Sequence, residues 1–98
     1  QRPASCRAAR AIAAERLRGT PWRLNAQVSG PWLRTPAGAP TRGSTRALDR
    51  ALERGALTMR GYDRVLKLAW TLCDLDGAVR PDADHVGRAL FLRKAMAE

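Results

Sequence analysis

Four side chains on one predicted helix have the chemistry to bind phosphate. In residues 58–77, TMRGYDRVLKLAWTLCDLDG, the polar residues Arg60, Arg64, Lys67 and Thr71 lie within about 60° of one another on a helix. The apolar residues fall on the opposite side: Tyr62, Val65, Leu66, Ala69, Leu72 and Cys73. Such a row could meet phosphate oxygens. A solvated helix face gives the same pattern, and the charge pattern alone favours that simpler interpretation.

Arg60 has a feature that favours function. It falls in the first turn after Thr58, where unpaired backbone N–H groups and the helix dipole already attract anions. An arginine alone slightly opposes that dipole. With a bound phosphate, its guanidinium would add a bidentate, charge-assisted contact.

The sequence predicts neither a catalytic set nor a metal site. Cys6 and Cys73 are far apart and His85 is the single histidine, whereas a structural zinc site needs about four such ligands. Both cysteines fit helical patterns as small apolar residues, reduced as is usual in the cytosol. Asp74 and Asp76 fall on opposite sides of a helix end and do not converge.

A stretch similar to a phosphate loop is also excluded. GAPTRGST, residues 38–45, has the two glycines and the Ser-Thr pair of that motif but lacks its lysine. No buried strand precedes it, and Pro40 interrupts it. We therefore expect the chain to bind no nucleotide through a phosphate loop of its own.

Composition indicates one small domain with a polyanionic partner. The 98 residues are 45% hydrophobic and carry a net charge of +9, with 18 Lys and Arg against 9 Asp and Glu. Arginine-rich codon usage, or acidic parts of a longer protein, would explain the charge equally well. The sequence has no membrane-spanning stretch and no signal peptide, and we expect a cytoplasmic protein. It also has no initiator methionine, which suggests an excised fragment.

Four helical segments and one long connection are predicted. Residues 1–19 are predicted to form an Ala/Arg-rich helix with only Cys6, Ile12 and Leu17 as larger apolar groups, so we expect it to be loosely held unless something outside the fragment covers it. Residues 20–43 contain four prolines and three glycines, which predicts an irregular connection. Within it, LNAQVSGPWLR is expected to form a short helical turn. The apolar residues expected to anchor it are Trp22, Leu24, Val28, Trp32 and Leu33.

Residues 44–98 are predicted to form three helices. The second helix is capped by Ser44, buries Leu48 and Leu52, and ends at Gly55, and the third runs from Thr58 to Gly77. The fourth begins at Pro81 with Asp82 or Asp84, and its predicted buried residues are Val86, Ala89, Leu90, Leu92 and Met96. No segment alternates as a strand does. The predicted fold is an all-α bundle of three to four helices with a long Pro/Gly-rich loop.

Two motifs carry a resemblance to a known family. GALTMRGYDRVLKLAWTLCDLDG and ADHVGRALFLR resemble the C-terminal domain of magnesium-chelatase-related AAA+ ATPases, most closely the ComM/YifB-like competence subgroup. LNAQVSG and the leading helix resemble the same proteins, and the match is specific at residues 57–75 and 85–93. Thr58 replaces the usual serine, and Cys73 and Asp76 stand where alanines are common.

The resemblance implies an AAA+ lid, a helical domain that follows an ATPase core. It implies that Arg60 is the sensor 2 arginine, which points at the γ-phosphate of ATP, with Arg64 as the second choice. ATP and Mg²⁺ would be held by the core of the full-length protein and not by this fragment alone, which is not expected to be catalytic. The resemblance further implies two kinds of partner. These are neighbouring subunits, which would form a hexameric ring, and DNA.

The alternative is a stand-alone basic module that binds DNA or an acidic protein. The row Arg46, Arg50 and Arg54, spaced by four on the second helix, supports DNA or subunit contact, and so does Lys67. Against DNA binding, no recognition helix follows a tight turn, since helices two and three are joined only by GAL.

Overall fold

The protein is an all-α bundle assembled around one long helix. The computed structural model describes the backbone of residues 6–97 and the side chains of residues 7–94. The helices are α1 (Cys6–Arg16), a 3-10 turn (Asn25–Gln27), α2 (Gly30–Leu33), α3 (Arg46–Glu53), α4 (Met59–Asp76) and α5 (Ala83–Ala97). Within this part of the chain there is no strand, which confirms the predicted fold class.

Helix α4 is the element that every other helix contacts. Thr58 Oγ1 accepts a hydrogen bond from Gly61 N at 3.1 Å and caps the helix as predicted. Gly77 ends it with a φ of +71°, a left-handed conformation that glycine adopts without strain. The predicted apolar side is confirmed, since Val65, Leu66, Ala69 and Cys73 are buried, with Tyr62 and Leu72 half-buried.

The face that carries the basic stripe is covered at its C-terminal end. Asp74, which continues the stripe three residues after Thr71, is 1% exposed. Arg16 at the end of α1 holds its carboxylate with two hydrogen bonds, Nη1 to Oδ1 at 2.6 Å and Nη2 to Oδ2 at 2.9 Å. Asn25 Nδ2 donates to Asp74 Oδ2 at 2.9 Å, and the Arg16 guanidinium lies 4.0 Å from the Trp70 ring centroid. This buried cluster joins α1, the 3-10 turn and α4.

Helix α1 is held more firmly than its composition predicts. Ala9, Ala13 and Leu17 are buried, because small side chains let α1 approach α4 closely. Ile12, one of the few larger groups on the predicted apolar side, is 38% exposed. The side chain of Cys6 lies outside the described residues.

Residues 20–43 form a layer against α4 that is irregular outside the 3-10 turn and α2, in keeping with their density of prolines and glycines. The expected helical turn is present as the 3-10 turn and α2, and Val28 and Leu33 are buried, but Leu24 is 43% exposed and anchors little. Trp32 of α2 packs between Trp22 and Trp70, with ring centroids 6.3 Å apart in both pairs.

Hydrogen bonds fix the end of this layer. Trp70 Nε1 donates to the Gly38 carbonyl at 2.8 Å. A Cβ at residue 38 would lie 2.4 Å from the Trp32 carbonyl oxygen, so only glycine fits there. Arg80 donates to the carbonyls of Pro36 and Ala39, which ties the layer to the segment that leads into α5.

The predicted start of α3 is wrong, and the structure decides between the two candidates for the start of α5. Ser44 does not cap α3; its Oγ donates to the Thr41 carbonyl at 2.6 Å, and Thr45 takes the cap position without a side-chain bond to the helix backbone. Asp82, and not Asp84, caps α5, because its Oδ1 accepts from Asp84 N at 3.0 Å and His85 N at 3.2 Å.

The buried residues of α3 and α5 also differ in part from those predicted. Leu48 is fully buried, whereas Leu52 is half-buried. In α5, Leu92 is 38% exposed and Leu90 is half-buried, because this helix presents only one narrow side to α4. Val86 and Ala89 are buried as predicted, and the side chain of Met96 lies outside the described residues.

The buried ion pair generates a stability prediction. Replacing Arg16 with alanine would leave the Asp74 carboxylate, 1% exposed, without its counter-charge. We expect Arg16→Ala to lower the free energy of unfolding by about 3–5 kcal/mol, the usual cost of breaking a buried pair. Urea denaturation measures this loss.

Arg18→Ala is the matched control. Its ion pair with Glu15 is exposed on both sides, at 74% and 72%, so the expected loss is below about 1 kcal/mol. Equal losses in the two variants would contradict the structural role of the Arg16–Asp74 pair.

Candidate functional site

The basic stripe of α4 forms one side of an open groove. Arg60, Arg64, Lys67 and Thr71 line it together, as the helical spacing predicts, and its volume is about 560 Å³. Ala26 of the 3-10 turn and Gly30 of α2 line the other side. The segment 20–43 therefore contributes a wall of the groove that sequence periodicity did not reveal.

Arg60 and Arg64 are exposed at the open end of this groove. Among the described residues, neither guanidinium has a hydrogen bond or a carboxylate partner. Thr58 already satisfies the N–H of Gly61 in the first turn of α4. Arg60 thus lies beside a capped helix start, with all its donors available to a ligand.

Lys67 has a different environment from the two arginines. Its Nζ donates to the carbonyl of Ala26 at 3.3 Å, and the residue is half-buried. This hydrogen bond to the carbonyl of the 3-10 turn joins the two sides of the groove. Thr71 lies deeper, where its Oγ1 accepts from Asn25 Nδ2 at 3.4 Å.

Asp63 is a groove residue that the sequence analysis missed. Its Oδ1 accepts from Arg34 Nη2 at 2.8 Å, and its other oxygen lies against the backbone of Gly30. The signal was present in the sequence, because an aspartate three residues after Arg60 and four before Lys67 interrupts the basic stripe. What the sequence did not show was its distant partner.

The row Arg46, Arg50 and Arg54 lies elsewhere. These residues are exposed on the side of α3 opposite to buried Leu48 and Ala51, and none of them lines the groove. Their side chains have no partner within the described part of the chain. The structure therefore separates the two groups of predicted contact residues.

Comparison with known proteins places this fold in a family. The family model described as magnesium chelatase, subunit ChlI C-terminal, matches residues 3–93. The chain belongs to this family. The match confirms the magnesium-chelatase part of the resemblance, whereas the ComM/YifB subgroup stays a prediction.

Relatives of this ChlI C-terminal domain occur in mycobacteria. Proteins described as uncharacterized, one from Mycobacterium bovis and two from strains of Mycobacterium tuberculosis, are 45% identical to it over 89 residues. The aligned region is 91% of this chain but spans only 18% of each relative's length. No solved structure matches the chain significantly.

A second group of ionisable side chains lies at the corner between α4 and α5 of the ChlI C-terminal domain. Asp76 Oδ2 contacts both His85 Nε2, at 2.8 Å, and Arg88, while Arg88 Nε also pairs with Asp84 at 3.1 Å. The hydrogen bond from Arg88 lowers the pKa of Asp76, and the bond from His85 adds to this effect. These contacts join the end of α4 to the start of α5, so we interpret the corner as a structural contact.

Other reactive groups in the domain are inaccessible or isolated. Burial, with the neighbouring Asp74 carboxylate, raises the pKa of the Cys73 thiol to about 11, and its Sγ donates to the Ala78 carbonyl. Across residues 6–97, no three His, Cys, Asp or Glu side chains converge as a metal site would require. None of the helices in this range is both long and apolar enough to cross a membrane.

The Asp76 corner predicts how stability depends on pH. Since the folded-state pKa of Asp76 lies below its ordinary value of 3.8, the unfolded chain takes up this proton first as the pH falls. The contribution of Asp76 is complete above that value and is lost as the pH drops through the folded-state pKa. We expect urea denaturation to show that Asp76→Asn is less stable than wild type at pH 7, with a flatter decline in acid.

Arg88→Ala removes the main cause of the pKa shift and should flatten the acid decline in the same way. A wild-type protein and an Asp76→Asn variant with parallel profiles across the acid range would contradict this assignment.

Proposed function

We propose that this domain is the lid of an AAA+ ATPase and that Arg60 contacts the γ-phosphate of ATP bound on the core domain of the same protein. The observation that carries the proposal is the pair of exposed arginines, Arg60 and Arg64, unpaired beside the capped start of α4. Family membership supports it, because a ChlI C-terminal domain implies an AAA+ core as its partner.

The charges of the groove suit a polyphosphate. An exposed guanidinium without a carboxylate partner loses no internal contact when it binds an anion. Arg60 can form two parallel N–H···O bonds with one phosphate, and Arg64, one turn further along the helix, adds a second positive charge. The open volume of about 560 Å³ leaves room for a phosphate chain presented by another domain.

The position of Arg60 would couple nucleotide state to movement of the lid. The residue is on the helix that every other helix of the domain contacts, so a force on its guanidinium acts on the whole bundle. Charge on the terminal phosphate would draw the lid towards the core, and loss of that phosphate would release it. The domain thereby reports nucleotide state to the rest of the protein.

The wider assembly belongs to the same proposal. The core domain would hold ATP with Mg²⁺, and neighbouring subunits would form a ring, a hexamer, in the cytoplasm. The ComM/YifB-like motifs support a role in DNA processing during competence. These features concern the longer protein, since the chain spans 18% of the length of its mycobacterial relatives.

Replacing Arg60 in the full-length protein tests the sensor assignment. We expect Arg60→Ala to lower ATP turnover by about 10²-fold, the usual cost of removing one preorganised positive group from a reacting phosphate. Arg60→Lys keeps the charge but loses the bidentate geometry, so its turnover should be intermediate. Steady-state ATPase assays give the turnover, and thermal unfolding checks that the fold is intact.

Arg42→Ala is the matched control for this experiment. Arg42 is exposed, has no side-chain partner in the described region, and lies outside the groove. Normal turnover in Arg60→Ala would overturn the proposal for this residue. A larger loss in Arg64→Ala than in Arg60→Ala would assign the sensor role to Arg64.

A second candidate function is DNA contact through the row Arg46, Arg50 and Arg54. The supporting observation is that all three are exposed on one side of α3 without partners among the described side chains. Phosphate-directed contacts of this kind need no recognition helix, because they carry no sequence information.

A salt titration of DNA binding tests this candidate in the full-length protein. If the three arginines contact phosphates, replacing all three with alanine should reduce the slope of log affinity against log salt by about 3. Replacing Arg7, Arg10 and Arg23, also exposed, removes the same charge from elsewhere. Equal slopes in the two triple variants would exclude a specific contact at α3.

A further inference from the structure

Asp63 pairs with a residue that is distant in sequence and not with its basic neighbours on α4. Among the described residues that line the groove it is the only acid. Its own helix offers Arg60 three residues before it and Lys67 four residues after it, at the spacings at which helical ion pairs form. The carboxylate pairs with neither, and instead binds Arg34, 29 residues away in sequence.

Two features of the opposite wall hold the carboxylate in this position. Arg34 is the residue that ends α2, and its Nη2 donates to Asp63 Oδ1 at 2.8 Å. At the start of the same helix, a Cβ on Gly30 would lie 2.3 Å from Asp63 Oδ2. The carboxylate therefore fits against α2 only because residue 30 has no side chain.

Lys67 also has a hydrogen-bond partner other than Asp63. Its ammonium group donates to the Ala26 carbonyl and is not drawn to Asp63. In the groove, therefore, Arg34 neutralises Asp63. Among the described residues, Arg60 and Arg64 have no carboxylate partner.

We infer that Arg34 is a positioning residue for the phosphate contact, and that it acts by holding Asp63 away from Arg60. Without Arg34, the Asp63 carboxylate would be free to pair with Arg60 at the i, i+3 spacing. A phosphate would then have to displace that carboxylate before it could bind the guanidinium. This inference rests on the proposed function of Arg60.

Removing Arg34 in the full-length protein tests the inference. The side chains of Arg34 and Asp63 are 42% and 21% exposed, so their ion pair is weak, and we expect Arg34→Ala to lower ATP turnover only about two- to fivefold. Adding Asp63→Asn to this variant should restore turnover to the wild-type level, because asparagine carries no charge to neutralise Arg60.

The rescue separates positioning from a purely structural role. If Arg34 acted only by stabilising α2, the double variant would still lack the ion pair and turnover would stay low. Failure of Asp63→Asn to restore turnover therefore overturns the inference.

Gly30→Ala tests the same inference without changing a charge. The new Cβ would push the carboxylate off α2, so turnover should fall as in Arg34→Ala and recover with Asp63→Asn. If Arg34→Ala does not fold, judged by thermal unfolding, Gly30→Ala decides the outcome. Arg42→Ala again serves as the control.

Failure of the inference is distinguishable from failure of the proposed function. Normal turnover in Arg60→Ala would remove both. Reduced turnover in Arg60→Ala, together with normal turnover in Arg34→Ala and Gly30→Ala, would overturn the positioning role alone.

Discussion

The architecture of this domain depends on a buried ion pair between Arg16 and Asp74. Taking both charges out of water costs several kcal/mol, about as much as their attraction returns unless the geometry is good. Here the geometry is bidentate, and Asn25 bonds to both partners, its Oδ1 accepting from Arg16 at 2.6 Å. The ring of Trp70 covers the guanidinium, which offsets part of the cost that buried Arg16 Nε incurs without a hydrogen-bond partner in the described residues.

This pair also determines where the groove lies. Because Asn25 belongs to the 3-10 turn, its bond to Asp74 places the next residue, Ala26, opposite Lys67. The covered end of α4 and the open end thus share one face of the helix. Charges at the covered end are satisfied within the bundle, while Arg60 and Arg64 at the open end are not.

Local periodicity and capping were enough to predict the central helix and its stripe. Thr58 and Gly77 mark its ends, and the spacing of Arg60, Arg64 and Lys67 puts them on one face as expected, where they line one groove. The same reasoning could not predict contacts between distant segments.

Those long-range contacts account for the predictions that were wrong or incomplete. An alanine-rich helix looked too small to pack firmly, because nothing local indicates that Arg16 will meet Asp74, 58 residues away. Asp63 was missed because its partner, Arg34, lies 29 residues away in sequence. Residues 20–43 are largely irregular, in keeping with their prolines and glycines, but their tryptophan and carbonyl contacts with α4 could not be read from the local sequence. An acid on an otherwise basic helix face, such as Asp63 or Asp74, was the best local sign of a distant partner.

The arrangement of the tryptophans has an optical consequence. Trp32 lies on α2 and Trp70 on α4, the helices on the two sides of the groove, with 6.3 Å between their ring centroids. Trp22 lies on the far side of Trp32, so all three indoles form a single chromophore cluster. A movement of α2 away from α4 would separate Trp32 from Trp70, so the intrinsic fluorescence of the domain would report it.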